Sequence, residues 1–305
     1  GMANAPEPLW KPTGLWKPKG ITFSSGGIHG NAMNGVLANL IDNNLLGDVT
    51  DWYGCSCGSI SAALGAMGVD SSSWLRDAAK YMDFTDLTIL EESCINDMVQ
   101  HWGMMPYTRL TTLLGKFVDT WEEGMSSITF AELAARRPGI RLHIIATNVT
   151  RRCQAVFNAA NTPNMRVLDA VVTSSAVPLY FTPWISPSGD LHCDGVMTEY
   201  YPWACVIDKA QTLVVAGYDT MISGEGRGDA PKTLSEYFFQ IGKILQKNKS
   251  MARPLNWIAL NITAIDGLDF SLPAEDRLAL FEQGYRAAAA WSRPRPTTRA
   301  FCRCW

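Results

Sequence analysis

The sequence predicts an α/β fold with a mostly parallel central sheet flanked by helices, and three observations lead there. Short apolar runs at residues 20–23, 140–147, 212–216 and 257–261 alternate with longer segments whose apolar residues recur at helical spacing. A serine framed by two glycines sits where the partly β-branched run 49–53 gives way to a helical segment. The composition, 47% hydrophobic and 18% charged over 305 residues, is that of a globular chain with a sizeable core.

The elements follow in order. Gly20-Ile21-Thr22-Phe23 is the first strand, and it leads into the glycine-rich run Ser24-Ser25-Gly26-Gly27-Ile28-His29-Gly30. Val36, Leu37, Leu40 and Ile41 predict a crossover helix over residues 34–46. Gly54-Cys55-Ser56-Cys57-Gly58 then joins a strand to the helix expected at 59–67. Glycines at such a bend let the backbone turn without a Cβ clash, which thrusts the serine hydroxyl out at the sheet edge, the geometry of a nucleophile elbow.

Residues 74–121 read as helices punctuated by turns at Gly103, Pro106 and Gly115. The strand at 140–147 has a hairpin partner at 154–157, and His143 in mid-strand reads as a packed structural residue. The turn at 186–190 delivers Leu191-His192-Cys193 and then Asp194-Gly195 at a strand end. Strands at 212–216 and 257–261 and helices at 234–246 and 273–291 complete the alternation. Gly224-Glu225-Gly226-Arg227-Gly228 lacks the lysine and following helix of a phosphate-binding loop and reads as a plain loop.

Candidate partners for Ser56 are few, because the only histidines are His29, His101, His143 and His192. Asp169 with His192 satisfies the chain order Ser, acid, His of a hydrolase triad. That fold places its elbow after several strands, whereas barely one βα unit precedes Ser56. A carboxylate acting directly on the serine is the better match, and Asp194 is the candidate.

With these residues in view, the chain resembles the patatin-like phospholipase family. The glycine-rich run after the first strand is similar to the family's oxyanion loop, the elbow holds Ser56, and Asp194-Gly195 is similar to its Asp-Gly-Gly/Ala segment. Thr173-Ser174-Ser175-Ala176-Val177-Pro178 resembles the small-residue stretch that precedes the family's aspartate, and the likeness spans roughly residues 20–202. The chain departs from the pattern at Ser25, usually glycine, at His29, usually arginine, and at Val196, usually glycine or alanine. The resemblance implies a patatin-like fold and a lipid acyl hydrolase of phospholipase A type. Ser56 and Asp194 form its catalytic dyad, Gly26 and Gly27 its oxyanion hole, and Gly54 and Gly58 its elbow. The alternatives are a transacylase with the same dyad and a lipid-binding pseudoenzyme.

Charge and cysteine usage bound the partners. A net charge of −3 argues against a nucleic-acid binder, and no apolar run is long enough to span a bilayer. The eight cysteines form no paired C-x-x-C knuckles, so no zinc site is expected, and a Ser–Asp dyad requires no metal, so no cofactor is expected. The first residues carry no signal-peptide pattern, which gives a cytoplasmic location as the expectation.

Three segments are expected: an N-terminal arm at 1–19, a catalytic domain at 20–292 and a basic tail at 293–305. Leu-Trp-Lys-Pro occurs at both 9–12 and 15–18, and the tail holds four arginines, two cysteines, Phe301 and Trp305 without an acid. Both ends suit peripheral contact with a membrane. Their plainer reading is an arm packed on the domain and a solvated tail. The expected partner is a phospholipid or another acyl-ester lipid.

Overall fold

The computed structural model describes residues 16–25, 30–88, 90–217, 230–232, 234–246, 256–260 and 270–292. Strand β1 (Gly20–Phe23) is followed by α1 (Gly30–Asp42), β2 (Asp51–Cys55), α2 (Gly58–Ala66) and α3 (Ser72–Tyr81). Next come α4 (Cys94–His101), β3 (Gly103–Met105), α5 (Tyr107–Trp121) and α6 (Phe130–Arg136). The hairpin β4 (Arg141–Asn148) and β5 (Cys153–Phe157) leads to α7 (Val167–Ser174). Strands β6 (Leu179–Phe181), β7 (Trp184–Ile185), β8 (Leu191–Asp194) and β9 (Thr212–Gly217) precede α8 (Leu234–Gln246), β10 (Trp257–Leu260) and α9 (Ala274–Ser292).

The main sheet has the order β10-β9-β1-β2-β4-β8-β7, with β5 on β4. From β10 to β4 every pairing is parallel, and the pairs β4–β5, β4–β8 and β7–β8 are antiparallel. The fold is therefore the expected mostly parallel sheet flanked by helices. Strand β9 shows both faces covered. Leu213 and Val215 point into the larger core with α1 and α2, while Val214 and Ala216 meet Tyr201, Trp257 and Phe238 of α8 on the other side.

Three local expectations shift. The crossover helix begins at Gly30 rather than 34, directly after the glycine-rich run, and ends at Asp42. Gly115 is no turn, because α5 continues through it and leaves it buried against the Ser126 side chain. A small glycine inside a helix serves close packing there. Strands β3 and β6, three residues each, pair in a separate two-stranded sheet, and runs so short carry no periodic signal. The His143 reading and the 154–157 hairpin partner agree with the structure. Trp16 packs edge-on against Trp291, as an arm laid on the domain would. Trp10, the loop at 224–228 and the tail at 293–305 lie outside the described residues.

Helix α1 is buried from Ala32 to Leu40 and crosses α9 at very short range. A Cβ on Gly35 would lie 1.9 Å from the Phe281 carbonyl oxygen, and one on Gly284 would lie 1.8 Å from that of Ala32. Both obstacles are backbone, so neither can swing aside. Gly284→Ala should therefore lower unfolding stability by roughly 3 kcal/mol through overpacking. Gly47→Ala, with nothing within 4 Å of the new Cβ, should leave it nearly unchanged. Urea melts of the two variants check this.

Candidate active site

The sheet register brings the site together. β2 ends with Cys55 opposite Ile145 of β4, and β8, running the other way, ends with Asp194 opposite Ala146. β5 occupies the other edge of β4 over residues 144–148. The two strand ends therefore share one edge and meet head to head at adjacent positions. Ser56 leaves the end of β2 with φ 54°, in the left-handed region that disfavours a residue with a Cβ. Its hydroxyl donates to Asp194 Oδ2 at 2.8 Å.

Close approach explains the glycines. A Cβ on Gly54 would lie 2.5 Å from Ser59 Cα, and one on Gly58 would lie 2.5 Å from the carbonyl oxygens of Phe23 and Ser24. Gly195 has the same role beside Asp194, since its Cβ would reach to 2.6 Å from the Ile145 oxygen. The bend is also pinned by a buried serine that the sequence reading did not single out. Ser174 Oγ accepts the Ser56 N–H at 2.7 Å and donates to the Ile145 carbonyl at 2.5 Å. The small-residue stretch that begins at Thr173 was the available signal for it.

Asp194 is fully buried. Its Oδ1 accepts the Val196 N–H at 2.9 Å, and its backbone carbonyl accepts the Thr147 hydroxyl at 2.8 Å. Burial is the largest influence on its carboxyl and raises its pKa from 3.8 to about 7; the Val196 and Ser56 hydrogen bonds pull the other way without overcoming it. Near neutrality the group is thus poised to take or give a proton.

The other candidates fall elsewhere. His192 Nδ1 is within hydrogen-bonding distance of the Asp190 carbonyl at 3.0 Å, its ring packs on Trp184 and Phe157, and burial lowers its pKa. Asp169 is paired with Arg166 at the start of α7. The triad that would use both is not assembled. Gly26 and Gly27 lie outside the described residues. The amides just before them are engaged, Ser24 N–H with the Val215 carbonyl and Ser25 N–H with that of Tyr200.

Ser56 opens into an apolar cleft of about 1330 Å³, open solvent at its mouth included. Ile60, Leu64 and Met67 line it along one face of α2, so it runs away from Ser56 for about two helical turns, roughly 10 Å. Farther on it meets Met82, Phe84 and Phe270. Arg277 also borders it, yet its guanidinium donates to the carbonyls of Ala79, Lys80 and Leu272, so the charge is spent on backbone. Among the described residues no cluster of His, Cys, Asp and Glu could hold a metal ion, and no helix is long and apolar enough to cross a membrane.

Comparison with known proteins bears on the family and the fold. The profile of the Patatin family, patatin-like phospholipases, matches residues 21–204, more than half of the chain. The uncharacterized protein R571 of Acanthamoeba polyphaga mimivirus is 23% identical over 281 residues, which cover 88% of this chain and 91% of that protein. VipD from Legionella pneumophila has a similar fold, with a TM-score of 0.57 at 14% identity over 90% of this chain and 67% of VipD. A chain of the ExoU–SpcU complex from the type III secretion system of Pseudomonas aeruginosa gives a TM-score of 0.48 at 20% identity, and this chain spans about half of its length.

The raised Asp194 pKa has a consequence for stability whatever the group does in catalysis. The unfolded carboxyl ionises near 3.8 while the folded one holds its proton until about 7, so native stability falls as pH rises through that window. Asp194→Asn cannot titrate. Its stability relative to the parent chain should therefore climb by roughly 4 kcal/mol between pH 4 and pH 7 and level off above, as about three units at 1.36 kcal/mol each require. Denaturant unfolding at several pH values reads this directly.

Proposed function

The chain belongs to the patatin-like phospholipase family of lipid-ester hydrolases, and on that premise we propose that it cleaves fatty-acyl esters of glycerophospholipids by a Ser56–Asp194 dyad. The observation that carries the reading is the 2.8 Å hydrogen bond from Ser56 Oγ to a buried carboxylate with no histidine between them. Asp194 accepts the Ser56 proton as Oγ attacks the ester carbonyl. The tetrahedral intermediate collapses when Asp194 returns that proton to the departing alcohol oxygen, which leaves an acyl-enzyme. Water then attacks the acyl group as Asp194 takes its proton, and the intermediate collapses to the fatty acid as Asp194 returns that proton to Ser56 Oγ, which restores the dyad.

The N–H groups of Gly26 and Gly27 would hold the oxyanion, worth roughly 3 kcal/mol per donor. Helix α2 begins two residues after Ser56 and directs its positive end there, which favours the same charge. The apolar cleft along α2 would receive the acyl chain, which favours long-chain over short-chain esters at the same headgroup.

Ser56→Ala and Asp194→Asn should each reduce ester turnover by at least a thousandfold, while His192→Ala keeps most of it. For the parent chain, kcat/KM should rise with pH through a midpoint near 7, since only the ionised carboxylate accepts the proton. A fluorophosphonate probe should label Ser56, and turnover should persist in excess EDTA. Absent labelling in a folded protein would favour the lipid-binding pseudoenzyme, and loss of activity in His192→Ala would overturn the dyad.

A further inference from the structure

Helix α4 exposes apolar residues that the core does not use. Ile95 and Val99 stand one turn apart on it and Trp102 follows its C-terminus; they are 69%, 69% and 54% exposed. Cys94 and Met98 are only half-buried, and no residue of α4 is buried. Trp102 turns the chain into β3 with φ 58°, and β3 pairs Gly103 with Leu179 of β6. Leu179 is itself 46% exposed and held at φ 69°. Two non-glycine residues in the left-handed region on one exposed face mark local strain of the kind that collects at functional surfaces.

This face connects to the cleft. Two residues beyond Leu179, Phe181 lines the cleft together with Phe84 and Phe270. Between them Tyr180 packs on Phe270 and donates its hydroxyl to the Leu87 carbonyl. The charges around α4 are mostly acidic: Glu92 is exposed, Asp97 accepts from Ser93, and Glu91 is paired with Arg109, leaving His101 in the last turn as the basic neighbour.

We propose that the α4–β6 face docks on a zwitterionic phospholipid surface and seats the cleft against it, so that a lipid reaches Ser56 without crossing water. The proposal rests on the hydrolase reading for its purpose, though not for its geometry. Ile95, Val99, Trp102 and Leu179 would insert at the boundary between headgroups and acyl chains. Glu92 and Asp97 would face choline groups, whereas an anionic surface would repel them. The acidic side chains beside the apolar ones favour a surface that presents cationic groups, and a second copy of this same acidic face would meet it with like charge.

The test uses the full chain, vesicles of phosphatidylcholine with and without phosphatidylglycerol, and a short-chain soluble ester. The double variant Ile95→Asn/Val99→Asn and the single variant Trp102→Ser alter exposed positions only. Each should bind phosphatidylcholine vesicles at least tenfold more weakly and lose vesicle turnover in proportion, with turnover of the soluble ester within twofold of the parent. Adding phosphatidylglycerol should narrow the difference in binding between the parent chain and either variant, whatever the basic tail adds. Unchanged vesicle binding in both variants would overturn the proposal, as would a difference that widens when phosphatidylglycerol is added. Self-association of the parent, abolished in the double variant and without vesicle binding, would assign the face to a second copy instead. Binding through this face with no turnover of either substrate would refute the hydrolase reading and leave the docking face standing.

Discussion

Strand β4 accepts two strands of opposite direction along one edge, β2 as far as Ile145 and β8 from Ala146 onward. Ser56 and Asp194 are 138 residues apart in the chain, and no contact between them exists until both strands are in register on β4. Because side chains alternate with a period of two, a slip of one residue in either strand would turn Asp194 away from the serine or move it along the edge. Ile144, Ile145 and Ala146 are all fully buried, so β4 is covered on both faces at the point where the two strands meet. The site is therefore as rigid as the sheet that holds it, and the fold need not move to assemble it.

That rigidity permits strain. Ser56 holds a left-handed backbone that a residue with a Cβ resists, and three glycines nearby allow backbone to approach where no side chain fits. Ser174 ties the bend to β4 by accepting from Ser56 and donating to Ile145. The Ser56 amide is used in this way, and the Ser24 and Ser25 amides are bonded to Val215 and Tyr200, so none of the three is among the donors proposed for the oxyanion.

Much of this was legible in the sequence because the signals are local. The elbow needs glycines at fixed offsets from Ser56, the Asp-Gly pair marks a strand end with a close approach behind it, and parallel strands buried on both faces read as short apolar runs. The triad alternative was weakened by counting strands before Ser56, and the structure places Asp169 and His192 with other partners. What stayed hidden depends on tertiary packing. The small-residue stretch marks Ser174 as one of a run, and only packing shows that it is the one that bridges the bend to a neighbouring strand. Gly115 looked like a turn because glycine in isolation favours one, yet helix packing against Ser126 decided otherwise. The three-residue strands β3 and β6 show no period, and the outward face of α4 departs from the rule that apolar residues at helical spacing point inward.

The same sheet also holds a second buried carboxylate, and the contrast explains why Asp194 is the one suited to chemistry. Asp51 begins β2 opposite Arg141, at the far end of the strands from Ser56. Burial is again the largest single influence and would raise its pKa, but hydrogen bonds from His143 and Arg141, with the Arg141 charge, hold the carboxyl well below the usual range. It stays ionised across neutral pH and stabilises the fold until acid protonates it. Asp194 is buried as well, yet its side chain meets only a backbone amide and a neutral hydroxyl. Among the described residues no cation acts on it, so desolvation prevails and the proton affinity rises to the working range. The start of β2 thus carries a fixed charge that serves structure, and its far end meets a titratable one at the end of β8. Among the described residues the difference is the Arg141 guanidinium, which Asp51 has and Asp194 lacks, so adding one beside Asp194 would lower the carboxyl's pKa and weaken it as a base even with the 2.8 Å geometry kept intact.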